Sequence, residues 1–398
     1  MREARAPWTS WWQDDIPCHF SREQSIESQA VLEDTLGRSW LDSADPHAEH
    51  PILKRWASGG APSFLELNGL GDDVRVVRAV PGFETVLHDL KNVSMAASAW
   101  HVVHGAALFE RHTPGSIVQF FPQTGASLPD FLLRWQRTEI AVEAKLLTGS
   151  EAEDVFSRYG EGLARRILAG VLGPPGIHPI VTVVVKDSRR MPSPDDVLSV
   201  LANARRTYAG SPLVVRAQTF NSFLEPPAQD LSAFSEYRSC HVLGRKSEDE
   251  DLRVVDRGKK ASAQLRAYEG GSPHAGLFLL GVTRLVEPLV VAGLLQTRFA
   301  RGFFRGISGA ILVERGTHLG PPVRSVLDVI ASVRNTASAR VPLPDDLGIS
   351  PRGLYAKFAP SEGVPAYRIS FAEGRLKSEQ GGALPMADLR VLTPDLLQ

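Results

Sequence analysis

The chain predicts an α/β fold with a mixed central sheet flanked by helices. Two observations carry this. Three short apolar runs, at residues 117–121, 131–135 and 140–147, lie close together and are punctuated by Gly125 and Pro129, as neighbouring strands are. Before them stands a helical pattern at 94–112, and after them helical and strand patterns alternate along most of the chain.

Taken in order, residues 1–75 form an N-terminal segment rich in Trp, Pro and acidic residues, with Trp8, Trp11 and Trp12 close together. It is expected to pack on the core or on a partner. Residues 76–190 hold the core. In the helix at 94–112, Val103, Ala106, Ala107 and Phe109 fall to one side among small residues, which suits close packing on a sheet. Thr113-Pro114-Gly115 stops it, and His101 and His104 read as ordinary surface histidines. Downstream, Val155, Phe156, Tyr159, Leu163, Ile167 and Val171 recur at helical spacing over 152–172, and residues 179–185 read as a buried strand. Residues 191–340 read as an α/β extension or second lobe. It comprises a helix at 193–208 with a Ser cap and Pro at its first position, a strand at 213–215, and an irregular stretch at 225–258 holding the charge run 246–251. A helix at 261–268, a strand at 275–282, a helix at 287–299 and a strand at 307–313 follow. Residues 341–398 form a β-rich tail, with strands at 355–358 and 366–371 as a small capping hairpin.

Composition narrows the function. The chain has 398 residues, 43% hydrophobic and 22% charged, which is ordinary for a soluble globular protein of one elaborated domain or two to three. It has no apolar run long enough to span a membrane and no signal-peptide apolar region at its start. Cys18 and Cys240 imply neither a disulfide framework nor a zinc site and suit a reducing, cytoplasmic setting. The net charge of −1 argues against a large sequence-independent DNA footprint, so any basic surface is local. Candidates are Arg189-Arg190, Arg205-Arg206, Arg257-Gly258-Lys259-Lys260, and Arg298, Arg301 and Arg305, the last set interleaved with Phe299, Phe303 and Phe304. No P-loop or dinucleotide-binding glycine pattern occurs, which argues against an ATP-driven translocase.

The chemistry-bearing motif is Pro129-Asp130 followed by Glu143-Ala144-Lys145. Asp130 stands at the mouth of one strand. Glu143 and Lys145 are two apart on the next, so both point to one face. Two carboxylates and an ammonium then converge on one edge of a sheet. Mg²⁺ favours one or two carboxylates with water and phosphate completing its shell. A cation between Asp130 and Glu143, with Lys145 orienting water or stabilising charge on phosphorus, suits phosphodiester hydrolysis.

These residues resemble the PD-(D/E)xK phosphodiesterase superfamily over roughly residues 82–186, both halves of the motif being intact with 12 residues between Asp130 and Glu143. The resemblance implies a restriction-endonuclease-like core of helix, three-stranded meander, helix and strand. It implies a Mg²⁺- or Mn²⁺-dependent nuclease acting on DNA, with Asp130 and Glu143 as metal ligands and Lys145 as the water-positioning or charge-stabilising group. It also implies a further acid on the helix before the meander. Glu110 is the nearest candidate there and Glu84 the alternative, with His101 and His104 standing where the acid is expected. Arg158, Arg165 and Arg166, and Lys260 with Gln264, are polar helix residues that surface solvation explains as well as phosphate contact does. The competing class is an inactive protein of the same fold, acting as a nucleic-acid-binding or assembly subunit with a protein partner.

Overall fold

A computed structural model of the chain describes residues 20–44, 49–58, 61–121, 128–147, 180–185, 214–218, 221–225, 239–244, 248–268, 273–282, 288–318, 325–350, 354–358, 367–372 and 375–380, with parts of 155–166 and 191–199. Trp8, Trp11, Trp12, Cys18, Arg165, Arg189, Arg190, Arg205 and Arg206 lie outside the described residues. The chain divides into two units, one of residues 1–147, 252–282 and 288–398, the other of residues 148–251 and 283–287.

The larger unit opens with α1 (Arg22–Leu32), started by a capping box. Ser21 Oγ accepts from the Gln24 N–H at 3.2 Å, and Gln24 Oε1 accepts from the Ser21 N–H at 2.8 Å. A π-helical turn leads into α2 (Arg38–Leu41), and α3 (Pro51–Ser58), α4 (Ala61–Val77), α5 (Phe83–Lys91) and α6 (Ala96–His112) follow. The segment before residue 77 is therefore part of the core: Leu32, Leu36, Leu41, Ile52, Leu65 and Leu70 are all fully buried.

The meander is β1 (Ile117–Phe120), β2 (Phe131–Trp135) and β3 (Thr138–Leu146), antiparallel throughout. The smaller unit holds its own four-stranded sheet of β4 (Ile180–Val185), β5 (Val214–Gln218), β6 (Asn221–Glu225) and β7 (Ser239–Gly244), in the order β6-β5-β4-β7. The chain then forms α7 (Glu248–Ala267), β8 (His274–Val282), α8 (Pro288–Ala300), β9 (Gly309–His318) and β10 (Ser325–Arg334). Strand β11 (Leu354–Phe358) and the hairpin β12 (Tyr367–Ala372) to β13 (Arg375–Gln380) end the described chain. The main sheet is mixed, in the order β1-β2-β3-β8-β9-β10, with β11 beyond β10 at its edge. Strands β3, β8 and β9 run parallel, and β10 returns antiparallel to β9.

The two faces of the sheet are covered by different helices. Ile140, Val142 and Ala144 share one core with Leu277, Leu279, Ile311 and the buried residues of α1, α4 and α6. The intervening residues Ala141, Glu143 and Lys145 face the other way, where α7 and α8 bring buried Leu265, Val291, Leu295 and Phe299.

Two expectations are corrected here. The pattern at 152–172 and 179–185 predicts the helix and strand that complete the meander. The strand parallel to β3 is instead β8, reached through α7, while β4 belongs to the smaller unit. Periodicity marks a buried parallel strand correctly but says nothing about which sheet it joins, and a crossover loop accepts a long insertion at little entropic cost. Of the two readings of 191–340, extension of the sheet holds for β8, β9 and β10, which belong to the motif's own sheet. The charge run predicts a loop or a boundary; the two units do divide between Asp251 and Leu252, but α7 starts inside the run at Glu248. Four acids, Glu248 to Asp251, occupy the first turn, where the helix macrodipole favours them.

Two glycines permit the layers to approach. A Cβ on Gly276 would lie 1.9 Å from the Gly306 carbonyl oxygen, and one on Gly105 would lie 2.0 Å from Leu279 Cδ2. A methyl end can rotate away but a backbone carbonyl cannot. Gly276→Ala is expected to cost roughly 1–3 kcal/mol or more, and Gly105→Ala clearly less, since Ala also favours the helix. Urea melts of the two variants check the order.

Candidate active site

Asp130 sits one residue before β2. Its N–H donates to the Val142 carbonyl at 2.9 Å and its carbonyl accepts from the Phe121 N–H at 3.1 Å. The second bond continues the β1–β2 ladder by one step, while the first is one residue out of the Phe131–Val142 register, so Asp130 stands at the end of the β2–β3 ladder. Asp130 Oδ2 also accepts from the Ala144 N–H at 2.7 Å, which fixes the carboxylate against β3. Lys145 lies two residues beyond Glu143, on the same face, and its Nζ pairs with Glu143 Oε1. The three motif residues are therefore brought together. They do not lie on an edge strand, however: β3 is flanked by β2 and β8, with Glu143 opposite Phe278 and Lys145 opposite Leu280. Two short runs of sequence cannot reveal a strand contributed from beyond residue 270.

Burial is the dominant force on the pair. Glu143 is fully buried and Asp130 nearly so, while the Lys145 side chain keeps 22% of its surface exposed. Burial pushes Glu143 up to about 8; Asp130 adds to this, and Lys145 and the nearby Gln264 oppose it. Burial likewise pushes Asp130 up to about 6, against the pull of Lys145 and the Ala144 N–H, and Asp89 raises it further. Two carboxylates set against one ammonium in a dry site hold protons that a cation can replace.

One residue near this site escaped the sequence, and one that the sequence offered lies beside it. Asp89 comes from α5, and burial raises its own carboxyl. Its signal was present: Phe83, Val86 and Leu90 form the buried stripe of α5, and Asp89 borders that stripe whereas Glu84 is exposed. Gln264 comes from α7 and lies close enough to Glu143 to lower its pKa. Its helix neighbour Lys260 is exposed and acts on Asp256 instead.

Glu110 is occupied elsewhere. Its carboxylate accepts from the Gly115 N–H, from the Ile117 N–H at 3.0 Å and from Ser116 Oγ at 3.4 Å. It ties the end of α6 to the start of β1 and satisfies backbone donors there. Arg166 pairs with Asp195 inside the smaller unit.

His101 and His104 are not surface residues, since α6 is buried on nearly every side. His104 lies between Asp73 of α4, at 3.1 Å from Nδ1, and Asp328 of β10, at 3.3 Å from Nε2. Arg111 pairs with both Asp72 and Asp73, and the Arg315 guanidinium lies 4.5 Å from the centre of the Trp100 ring. Burial disfavours the His104 cation, but Asp328 and Asp73 outweigh it and its pKa is raised. His101 is pushed down to about 3 by burial, with His104 and Arg315 adding to the effect. Arg315 and Asp328 pair across β9 and β10 on the face that α6 covers, so this network lies across the sheet from Glu143.

Among the described residues no group of three or more His, Cys, Asp or Glu is arranged to hold a metal ion, and no helix is long and apolar enough to cross a membrane. No protein-family model, curated protein or solved structure matches the chain.

Proposed function

We propose that the larger unit is a divalent-metal-dependent nuclease that hydrolyses DNA phosphodiester bonds. The observation that carries this reading is Asp130, held by the Ala144 N–H, beside the Glu143–Lys145 pair of β3, with both carboxyls pushed up by burial. The order α6, β1, β2, β3, α7, β8 supports it, being the helix, meander, helix and strand that the PD-(D/E)xK resemblance implies.

The donors suit a hard cation such as Mg²⁺ or Mn²⁺, which needs only one or two carboxylates when water and phosphate oxygens complete its shell. Asp130 and Glu143 would hold it. Such an ion, when bound, polarises a phosphodiester oxygen and lowers the pKa of a bound water. The chain's own residues do the rest. The Ala144 N–H holds the Asp130 carboxylate, and Lys145 pairs with that of Glu143. Lys145, the most exposed of the three, places a positive charge where a substrate phosphate enters and stabilises charge developing on its oxygens.

Cleavage of plasmid and of single-stranded DNA with Mg²⁺, Mn²⁺ or EDTA tests this. Cleavage is expected with either metal and none with EDTA or in Asp130→Ala. Cleavage that survives EDTA, or is undiminished in Asp130→Ala, overturns the reading.

A further inference from the structure

The stretch that interleaves arginines with phenylalanines is resolved by the fold into inward and outward parts. Phe299 and Phe304 are 2% and 8% exposed and meet edge to face at 6.3 Å. Gly302 at φ 74° and Phe304 at φ 57° turn the backbone through the left-handed region between them. That turn leaves Phe303 48% exposed, the sole aromatic among the large exposed hydrophobic side chains of the described residues. It is not a loose side chain on a loose loop. The Phe303 N–H donates to the Arg298 carbonyl at 3.0 Å, and the Arg298 guanidinium lies 5.4 Å from the ring centre. Arg301 and Arg305 are exposed on either side. Residues 288–313 contain these three arginines and no Asp or Glu, in a chain of net charge −1.

The turn lies on the sheet face that carries the candidate site. The Gly306 carbonyl sits over Gly276, which pairs with Ala141 of β3, two residues before Glu143. That step is about 7 Å along the strand.

We propose that this turn binds single-stranded nucleic acid, with a nucleobase stacked on Phe303 and neighbouring phosphates held by Arg298, Arg301 and Arg305. The inference rests on the nuclease reading for its substrate class and adds a contact outside the motif. A flat exposed ring beside guanidinium groups that form no ion pair among the described residues matches the alternation of base and phosphate along one strand. A paired base keeps its faces stacked within a duplex, so the ring favours unpaired strands.

Fluorescence anisotropy of a labelled oligothymidylate, in EDTA so that nothing is cut, tests the inference. Phe303→Ala is expected to weaken binding on the order of 10-fold. Phe303→Tyr should retain binding, which guards against a folding defect in the first variant. The double variant Arg301→Ala, Arg305→Ala should weaken binding and flatten the slope of log affinity against log salt by about 0.7 per arginine. A labelled duplex should lose little from Phe303→Ala. Absence of oligothymidylate binding by the wild type, equal binding by all variants, or equal losses on single strand and duplex each overturn the proposal. Binding that instead follows an acidic peptide competitor would assign the surface to a protein partner and also overturn it. Wild-type hydrolysis of a small phosphodiester with Mg²⁺, run beside these titrations, judges the nuclease reading separately.

Discussion

Lys145→Ala is expected to lose DNA cleavage by on the order of 10²-fold or more while keeping its fold and its affinity for metal. The variant removes the ammonium that pairs with Glu143 but leaves both carboxylates and the Ala144 N–H contact. Asp130→Ala and Glu143→Ala should instead lose metal binding and activity together. Because the three groups serve one transition state, losses in a double variant should fall well short of additive. Glu110→Gln is the control: it breaks a backbone-satisfying contact between α6 and β1, costs on the order of 1 kcal/mol, and leaves cleavage near wild type. Single-turnover rates, isothermal titration with Mn²⁺ and urea melts on the same preparations read all of this. Moderate, additive losses would identify a structural ion pair. Full activity in Lys145→Ala would place the chemistry elsewhere.

Glu143→Gln is expected to stabilise the metal-free protein at alkaline pH and to leave it little changed at acid pH. Glu143 titrates near 4.5 when unperturbed and is pushed up to about 8 in the folded chain. Between those values the folded state keeps the proton that the unfolded state has released, so stability falls as pH rises. The variant has no proton to lose, and its advantage at pH about 8 should be on the order of a few kcal/mol. Asp130, Asp89 and His104, all raised, tilt the wild-type curve the same way, and His101 acts oppositely below its unperturbed value of 6.5. The difference between wild type and variant therefore isolates Glu143. Mg²⁺ or Mn²⁺ should raise the wild-type melting temperature and release protons, and do much less in the variant. Urea unfolding across the pH range measures the first effect and calorimetry in buffers of different ionisation enthalpy the second. A variant less stable than wild type at high pH would show that Glu143 anchors Lys145 favourably in its charged form.

Sequence alone determined the local parts of this protein. Apolar alternation and the turn residues around Pro129 located β1, β2 and β3, and the period-two rule put Glu143 and Lys145 on one face before any fold was known. The same logic located α6, β4, β8 and α8 within a residue or two. What it did not determine was partnership. Strand β4 reads as the completion of the meander, yet β8 takes that place after an inserted unit, because backbone pairing is indifferent to loop length and visible only in space. The third acid followed the same rule. Glu110 lies nearest the motif in sequence, but its carboxylate closes a helix end, while the acid whose charge raises Asp130, Asp89, lies on another helix. Histidines that look like surface residues on α6 became buried once α4, β9 and β10 closed over them, since a helix enclosed on all sides has no solvent face to show in its pattern. Tertiary structure alone decided which charges lie dry, and that decision, through desolvation, sets the proton affinities on which the site's chemistry depends.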